Sequence, residues 1–477
     1  MAVTDDQLLH LNPWWTDPAA IERDAKLREL GRHKLAWNPP VMEAIELVPG
    51  RLHTLRGPRQ VGKSTTIKRL IRRLLERGER RVLYFSFELS TDHADIVSAI
   101  QRARQLHPDP SGAWYVFLDE VTMMRDWQLG VKYVIDHGPS DADLLLCTGS
   151  SARKVGSEQL PGRKGKGRHY LQMPLSFRDF CNAAIGLPVS QEVLGVAEML
   201  EPQGLQALRA THLRRQELER AWRAYCEVGG FPAAVEDYLA AGSVQTETVE
   251  MLWDIIAGDI RDLGRSGVST LKLLERINRS LGTPLSWESL AGDMDVDRTT
   301  AREYVELLAE SFLLLMLYRW ETSGRGLSPR RQRKVYFADP LVGRVGTHLL
   351  PGSRPSPRSA VREELIAIGL YRSATDRLLQ AEPAPGSLCF WKSGRGTEID
   401  FLVRQSPEGS EGRFPIEVKG DSTSQIANAR KSMGAAFGRG LVITESHLDL
   451  EHRIPAVPAP VFLALLPERV ERKPVSL

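Results

Sequence analysis

The chain has 477 residues, a formal net charge of +3 at pH 7, and four scattered cysteines that form no CxxC pair. This length supports about two to four domains. The net charge is close to zero, so it does not by itself indicate a nucleic-acid, membrane or other charged partner. The cysteine spacing argues against a disulfide framework or a zinc site. With no apolar run of roughly 18 residues and no secretory signal pattern, we expect a cytoplasmic protein without a membrane partner.

The first informative motif is GPRQVGKS, residues 57–64. An apolar run at 51–55 predicts a strand before it, and apolar residues at helical spacing over 65–75 predict a helix after it. Glycines free the backbone so that N–H groups face phosphates at the positive end of the helix. The loop therefore predicts ATP binding, with Lys63 neutralising phosphates and Ser64 holding Mg²⁺. The predicted contacts are Gly57, Pro58, Arg59, Gln60, Val61, Gly62, Lys63, Ser64 and Thr65.

Two further apolar runs, VLYFSFE at 82–88 and WYVFLDE at 114–120, predict buried strands. The second ends in adjacent carboxylates. After a phosphate-binding loop, Asp119 is expected to support the Mg²⁺ ion and Glu120 to polarise the attacking water. The alternative is a strand that leads into a polar turn without chemistry.

The run DLLLCTGSS at 143–151 predicts another strand, whose hydroxyl-rich end places Thr148 or Ser150 near the γ-phosphate. The segment after it is strongly basic and contains LPGRKGKGR. It has three readings: an arginine supplied to a neighbouring subunit of a homo-oligomer, a DNA phosphate contact, or a solvated loop. Arg163 is the preferred arginine.

The order GPRQVGKS, WYVFLDE, LLLCTGSS, LPGR, MPLSFRDF and YCEVGGFPAAV resembles prokaryotic AAA-type ATPases that carry a C-terminal nuclease-like domain. The resemblance implies an α/β fold in which the 143–151 strand lies between the loop strand and the acidic strand of a parallel P-loop sheet. It also implies an ATPase. The segments at 174–180 and 229–232 mark the family and are expected to serve packing.

The middle of the chain predicts a helical lid, from helical spacing over 205–238 and 244–262. Two helices then follow, at 286–292 and after the N-cap Asp297, with Thr299, Thr300 and Arg302 exposed. This is the layout of a helix-turn-helix, and the following apolar segments would form the strands of a winged helix that contacts DNA. Packing against protein is the alternative. The apparent wing loop adds basic candidates for phosphate contacts: Arg325, Arg330, Arg331, Arg333 and Lys334.

Near the C-terminus, TEIDFLV at 397–403 and FPIEVKG at 414–420 predict two neighbouring strands that present Asp400, Glu417 and Lys419. The pattern resembles the PD(D/E)XK nucleases, which belong to the restriction-endonuclease-like α/β fold. Asp400 and Glu417 would hold Mg²⁺, or Mn²⁺, against a scissile phosphate while Lys419 orients the water. By resemblance Glu363, on a helix predicted at 358–371, completes the metal set, with Glu364 as its alternate. A nuclease fold kept only for binding or structure is the other reading.

These motifs divide the chain into five predicted parts: an N-terminal extension at 1–50, an ATPase core at 51–185, a helical lid at 186–265, a winged helix at 266–345 and a nuclease-like domain at 346–477. Trp14 and Trp15 are expected to pack on the ATPase core. Two functions fit. The first is an ATP-driven machine that acts on DNA, and the second is a nucleotide-gated switch or scaffold that binds a protein partner and no longer cuts.

Overall fold

The computed structural model describes residues 3–90, 92–137, 142–150, 167–189, 193–261, 264–321, 326–327, 333–373, 378–379, 382–383, 387–394, 396–404, 412–468 and 471–472. The N-terminal helices are α1 (Asp5–Leu11), α2 (Ala25–Leu30) and α3 (Val41–Ala44). Between α1 and α2, the indole N–H groups of Trp14 and Trp15 both donate to the carbonyl of Val82, at 2.9 and 2.8 Å. The expected packing of these tryptophans on the next unit is confirmed.

That unit is an α/β layer, and its segments alternate along the chain as strand and helix. They are β1 (Leu52–Arg56), α4 (Lys63–Glu76), β2 (Val82–Ser86), α5 (Ala94–Leu106), β3 (Tyr115–Asp119), α6 (Trp127–His137), β4 (Leu144–Gly149), β5 (Arg168–Leu171) and α7 (Phe177–Ala183). β1–β5 pair in parallel in the order β5-β1-β4-β3-β2, and both faces of the sheet are buried under helices. The predicted position of β4 between β1 and β3 is confirmed.

Helices dominate the next stretch, as its spacing predicts. They are α8 (Pro202–His212), α9 (Arg215–Val228), α10 (Pro232–Ala241) and α11 (Thr246–Arg261). Gly229 and Gly230 separate α9 from α10, and Gly229 has a φ of 73° that favours glycine. A Cβ on Gly230 would come within 2.1 Å of the Leu175 carbonyl oxygen, so this turn needs glycine for its contact with the segment before α7.

A second helical group leads into antiparallel strands. It comprises α12 (Gly267–Ser280), α13 (Trp287–Met294), α14 (Arg298–Glu310), β6 (Leu314–Glu321), β7 (Gly326–Leu327), β8 (Lys334–Phe337) and α15 (Pro340–Leu349). Ser286 caps α13 and Asp297 caps α14, as predicted. β8 pairs antiparallel with the first half of β6.

The remaining elements build a second sheet. They are α16 (Arg358–Ser373), β9 (Leu378–Leu379), β10 (Glu382–Pro383), β11 (Leu388–Lys392), β12 (Glu398–Arg404), β13 (Arg413–Val418), α17 (Thr423–Phe437), β14 (Leu441–Thr444), β15 (Ala456–Pro458), α18 (Ala459–Leu465) and β16 (Glu471–Arg472). The sheet runs β15-β14-β13-β12-β11-β6-β7, while β9 and β10 form a separate pair. β16 instead pairs antiparallel with β5 of the first sheet.

Strand β6 belongs to both of the last two predicted parts of the chain. Its residues 314–317 pair with β8, and residues 318–320 pair in parallel with β11. One continuous sheet therefore crosses the boundary that the sequence suggests at residue 345. Among the described residues, no helix has the length and apolar character needed to span a bilayer.

Candidate functional site

The phosphate-binding loop, residues 57–64, connects β1 to α4 with a backbone that glycine makes possible. A Cβ on Gly57 would lie 1.8 Å from the Gln172 carbonyl oxygen, and Gly62 adopts a left-handed φ of 85°. Gly62 is also the N-cap of α4, so it offers no side chain to the N–H groups of the first helical turn. Those N–H groups and the helix dipole suit an anion.

Lys63 begins α4 and lies almost wholly inside the loop, with its side chain 3% exposed. Its ammonium donates to the carbonyl oxygens of Gly57 and Pro58 at 3.0 and 2.9 Å, and lies 3.8 Å from Glu120. Burial lowers the pKa of Lys63 despite the nearby carboxylates. This ammonium is thus held ready at a place where additional negative charge would stabilise it.

The predicted acidic and hydroxyl residues meet at the carboxyl ends of β3 and β4. Thr148 donates a hydrogen bond to Asp119 and accepts one from the backbone N–H of Glu120 at 2.9 Å. Ser150 donates to Glu120 at 3.2 Å. Glu120 has a left-handed φ of 53°, which turns its carboxylate back towards Lys63. Neighbouring parallel strands thus bring together residues far apart in sequence.

One contact links this site to the helical stretch. Arg59 of the phosphate-binding loop forms an ion pair with Asp259 of α11 at 2.9 Å. The sequence reading singled out neither partner for this contact.

Three carboxylates of the second sheet and one of α16 lie close together, and we call them the C-terminal acidic cluster: Glu363, Glu398, Asp400 and Glu417. The predicted residues Glu363, Asp400, Glu417 and Lys419 are therefore brought together. A lysine that the sequence analysis assigned to the wing loop also lies in contact with the cluster. Lys334 of β8 places its fully buried ammonium 3.0 Å from Glu363, 2.9 Å from Glu398 and 3.4 Å from Asp400.

A second lysine closes the other side of Asp400. Lys419 lies 3.2 Å from Asp400 and 2.5 Å from Glu417. Burial opposes ionisation of Asp400, but Lys334 and Lys419 outweigh it and hold the pKa of Asp400 at about 2. Burial and the charge of Asp400 raise the pKa of Glu363 to about 7 and that of Glu417 to about 8.

The predicted Mg²⁺ or Mn²⁺ set at Glu363, Asp400 and Glu417 does not fit this arrangement. One oxygen of Asp400 faces Lys334, and the other faces Lys419 and the backbone N–H of Val418. Glu363 accepts from Lys334 and from the Tyr336 hydroxyl at the same oxygen, Oε1. A metal ion needs these same oxygen lone pairs, at about 2.0–2.6 Å.

The alternate residue Glu364 points away from the cluster. Its carboxylate accepts the backbone N–H of Phe337 at 3.0 Å, and burial raises its pKa to about 8. Consecutive helical residues are about 100° apart around the axis, so only one of the pair can face the cluster. Between the two residues proposed from the sequence, the structure places Glu363 there.

The expectation that Arg333 and Lys334 contact nucleic acid from an exposed wing loop is wrong. Both are buried, because Lys334 begins β8 and Arg333 lies over the rings of Trp287 and Tyr318. Lys334 and Tyr336 alternate with apolar residues in KVYF, so both face one side of the strand. That alternation was the missed signal. Lys392, at the end of β11, pairs with Glu398 at 3.3 Å.

The helix-turn-helix candidates lie at the start of α14. Thr299 and Arg302 are exposed, while the Thr300 hydroxyl donates to Asp297 and Arg302 pairs with Glu306. Four other residues named from the sequence lie outside the described residues, so their roles stay predictions: Arg163, Arg325, Arg330 and Arg331.

Two protein families match separate parts of the chain. Residues 50–181 match a family described as an AAA domain, and residues 219–344 match a domain of unknown function, DUF8612. The first match covers the phosphate-binding loop, both acidic residues and β1–β5. This part of the chain is therefore similar in sequence to AAA domains, and its parallel sheet has the strand order that the P-loop motifs predict.

Whole-length relatives are uncharacterized proteins. MJ1637 of Methanocaldococcus jannaschii is 25% identical over 88% of this chain and 86% of its own length. Rv2008c of Mycobacterium tuberculosis is 25% identical over 86% of this chain and 80% of its own. Among solved structures, Aeropyrum pernix Orc1 in complex with DNA aligns with 74% of this chain and 96% of its own at 16% identity, with a TM-score of 0.30.

Proposed function

We propose that this protein binds and hydrolyses ATP at the phosphate-binding loop. The observation that carries the proposal is the convergence of Lys63, Asp119, Glu120 and Thr148 at one edge of the parallel sheet. A glycine-capped helix and a buried ammonium suit the phosphates. Ser64 would hold Mg²⁺, and Asp119, which accepts from Thr148 and from the Tyr84 hydroxyl, would support the water shell of the ion. When bound, the ion would neutralise charge on the phosphate oxygens.

Each residue then has a distinct role. Lys63 exchanges its hydrogen bonds to backbone carbonyls for the β- and γ-phosphates, which stabilises its charged form. Glu120 orients the attacking water and accepts its proton. Thr148 positions Glu120 by accepting its backbone N–H, and its own hydroxyl donates to Asp119. Ser150 supports the same carboxylate from β4's end.

The test separates binding from hydrolysis. Lys63→Met should weaken binding of a fluorescent ATP analogue at least tenfold, whereas Glu120→Gln should bind it within about threefold of wild type. Phosphate release should fall at least a hundredfold in Glu120→Gln, since a general base contributes about 10²–10⁴. Lys132→Met, at an exposed lysine of α6, is the matched control. Normal hydrolysis by Glu120→Gln would refute the assigned role.

A second candidate function is DNA binding by α13 and α14. The observation that favours it is the exposed start of α14, where Arg298 is 63% and Arg302 54% exposed behind the Asp297 cap. Each arginine also has an acidic partner in the protein, Glu288 for Arg298 and Glu306 for Arg302, which would compete with DNA phosphates. Arg298→Ala with Arg302→Ala should therefore weaken duplex binding and reduce its salt dependence. Arg223→Ala, at an exposed arginine of α9, is the control for fluorescence anisotropy.

The predicted division into an ATPase core, helical lid, winged helix and nuclease-like domain is part of this proposal, with Arg163 as the arginine that a neighbouring subunit would receive. For the C-terminal part, the ion pairs favour the alternative in which a nuclease-like fold does not cut. Incubation with Mg²⁺ or Mn²⁺ and several DNA forms tests this. Cleavage by wild type that Asp400→Ala and Lys419→Ala both abolish would refute it.

A further inference from the structure

We propose that the ammonium group of Lys334 permanently takes the place of a divalent cation in the C-terminal acidic cluster. The cluster then binds no Mg²⁺ or Mn²⁺ in the native protein. It joins β8 to α16 and β12 by ion pairs. Replacing Lys334 by a neutral side chain of similar length opens the cluster to a divalent cation.

The position of the ammonium carries this inference. It contacts carboxylates from two elements, Glu363 of α16 and both Glu398 and Asp400 of β12, all within 3.4 Å. A cation that bridged Glu363 Oε1 and Asp400 Oδ1, the two oxygens that face each other across this site, would have to lie where this nitrogen lies. Two positive charges a few ångströms apart in a buried site repel strongly.

The charges of the cluster lead to the same conclusion. Its four carboxylates face three ammonium groups, those of Lys334, Lys392 and Lys419. Even with every group ionised, four negative and three positive formal charges leave at most one negative charge. The attraction for a divalent ion is therefore much weaker than four bare carboxylates would provide.

The lysines differ in whether they can leave. Lys419 is 31% exposed and can rotate into solvent. Lys334 is fully buried, lies 5.7 Å from the centre of the Phe390 ring, and belongs to a strand whose ladder pairs Lys334 with Leu317 of β6. Withdrawing its ammonium would require three ion pairs of a fully buried group to break together. The neighbour Tyr336 further fixes Glu363 by donating to it at 2.7 Å.

The inference is independent of the ATPase proposal, and its test uses the full-length protein without nucleotide. Electron paramagnetic resonance measures free Mn²⁺ during titration of wild type, Asp400→Asn, Lys334→Met and the double variant Lys334→Met with Asp400→Asn. Wild type and Asp400→Asn should bind equally little Mn²⁺. Lys334→Met should gain one site, at least tenfold tighter, that the double variant loses.

Two outcomes would overturn the proposal. One is a Mn²⁺ site in wild type that Asp400→Asn removes, and this pair decides the matter even if Lys334→Met fails to fold. The other is a folded Lys334→Met protein, judged by circular dichroism, that gains no site. In that case something other than the ammonium keeps the metal out.

Discussion

Two carboxylate sites in the described part of the chain each contain a nearly fully buried lysine, yet the lysines have opposite environments. Lys63 donates to backbone carbonyls, and burial lowers its pKa. Lys334 lies among three carboxylates that raise its pKa despite burial. A lysine whose charge is poorly compensated is prepared for an anionic ligand, whereas one whose charge is compensated by its own fold holds that fold together. The same residue type thus serves binding in one sheet and structure in the other.

The comparison would fail if the two lysines affected stability equally. Lys334→Met leaves buried carboxylates without their partner and should lower the free energy of unfolding by about 3–5 kcal/mol. Lys63→Met, without nucleotide, should change it by less than about 1 kcal/mol, because the loss of two hydrogen bonds is offset when a poorly compensated charge is no longer buried. Thermal unfolding followed by calorimetry, at one pH and without metal, measures both. Similar losses would refute the distinction.

Glu364 sharpens the comparison because it is adjacent to Glu363 but accepts a backbone N–H rather than an ammonium. Its pKa of about 8 means that the folded state keeps the proton while the unfolded chain releases it near its ordinary value. Glu364 therefore makes its full contribution to the free energy of unfolding below about pH 4.5, and this contribution is lost as the pH rises from there through about 8. Glu364→Gln should remove about 4 kcal/mol of the loss of stability between pH 5 and 8.5. Glu288→Gln, at an exposed glutamate, should follow wild type, and parallel curves for all three would contradict the assignment.

Lys419 contacts the C-terminal acidic cluster with the same charge as Lys334 but is more exposed, so a comparison of the two tests the effect of burial. It pairs with Asp400 and Glu417 but is 31% exposed, so water can replace part of its contribution. Lys419→Met should cost about 1–2 kcal/mol, clearly less than Lys334→Met. The same calorimetric series measures it, and a loss as large as that of Lys334→Met would show that burial does not distinguish the two lysines.

The smallest predicted effect concerns positioning in the nucleotide site. Thr148→Val keeps the side-chain shape but removes the acceptor for the Glu120 N–H and the donor to Asp119. Hydrolysis should fall about tenfold, the equivalent of roughly 1.4 kcal/mol, while affinity for the ATP analogue stays within about twofold. Ser150→Ala provides the comparison, because Ser150 contacts only the carboxylate of Glu120 at 3.2 Å among its described partners. A loss of binding in Thr148→Val would show a structural rather than a positioning role.

The nucleotide site was predictable because its parts are local motifs on strands. An apolar run that predicts a strand comes directly before each of these motifs: GPRQVGKS, the carboxylates after β3 and the hydroxyls after β4. Each motif can therefore be placed at the carboxyl end of a strand. Parallel strands then bring these ends to one edge of the sheet, and the expected insertion of β4 between β1 and β3 supplies the order. The contact of Arg59 with Asp259 was not predictable, because nothing in the sequence fixes how α11 packs on the loop.

The C-terminal residues were predictable as a set, but their charge state was not. EIDF, IEVK and the acidic helix indicate the elements, and Asp400, Glu417, Lys419 and Glu363 do meet. Lys334 comes from a strand 66 residues before Asp400 and stands in a run of basic residues that suggests an exposed loop. Only the pairing of β8 with β6, and of β6 with β11, brings its side chain into the cluster. Local composition predicts that Lys334 is exposed, whereas long-range strand pairing buries it, and the pairing determines its position.

The shared strand β6 limits how this protein can be divided or exchanged between relatives. A fragment that ends at residue 345 would leave β6 without β11, and a fragment that begins at 346 would leave β11 without β6. Each would present an unpaired strand edge from a buried sheet, which favours aggregation. Recombination that replaces only the last 132 residues must therefore supply a compatible edge for β6 and acceptors for Lys334. We therefore expect the segment from β6 onward to be exchanged between relatives as one unit, although the motifs suggest a boundary at residue 345.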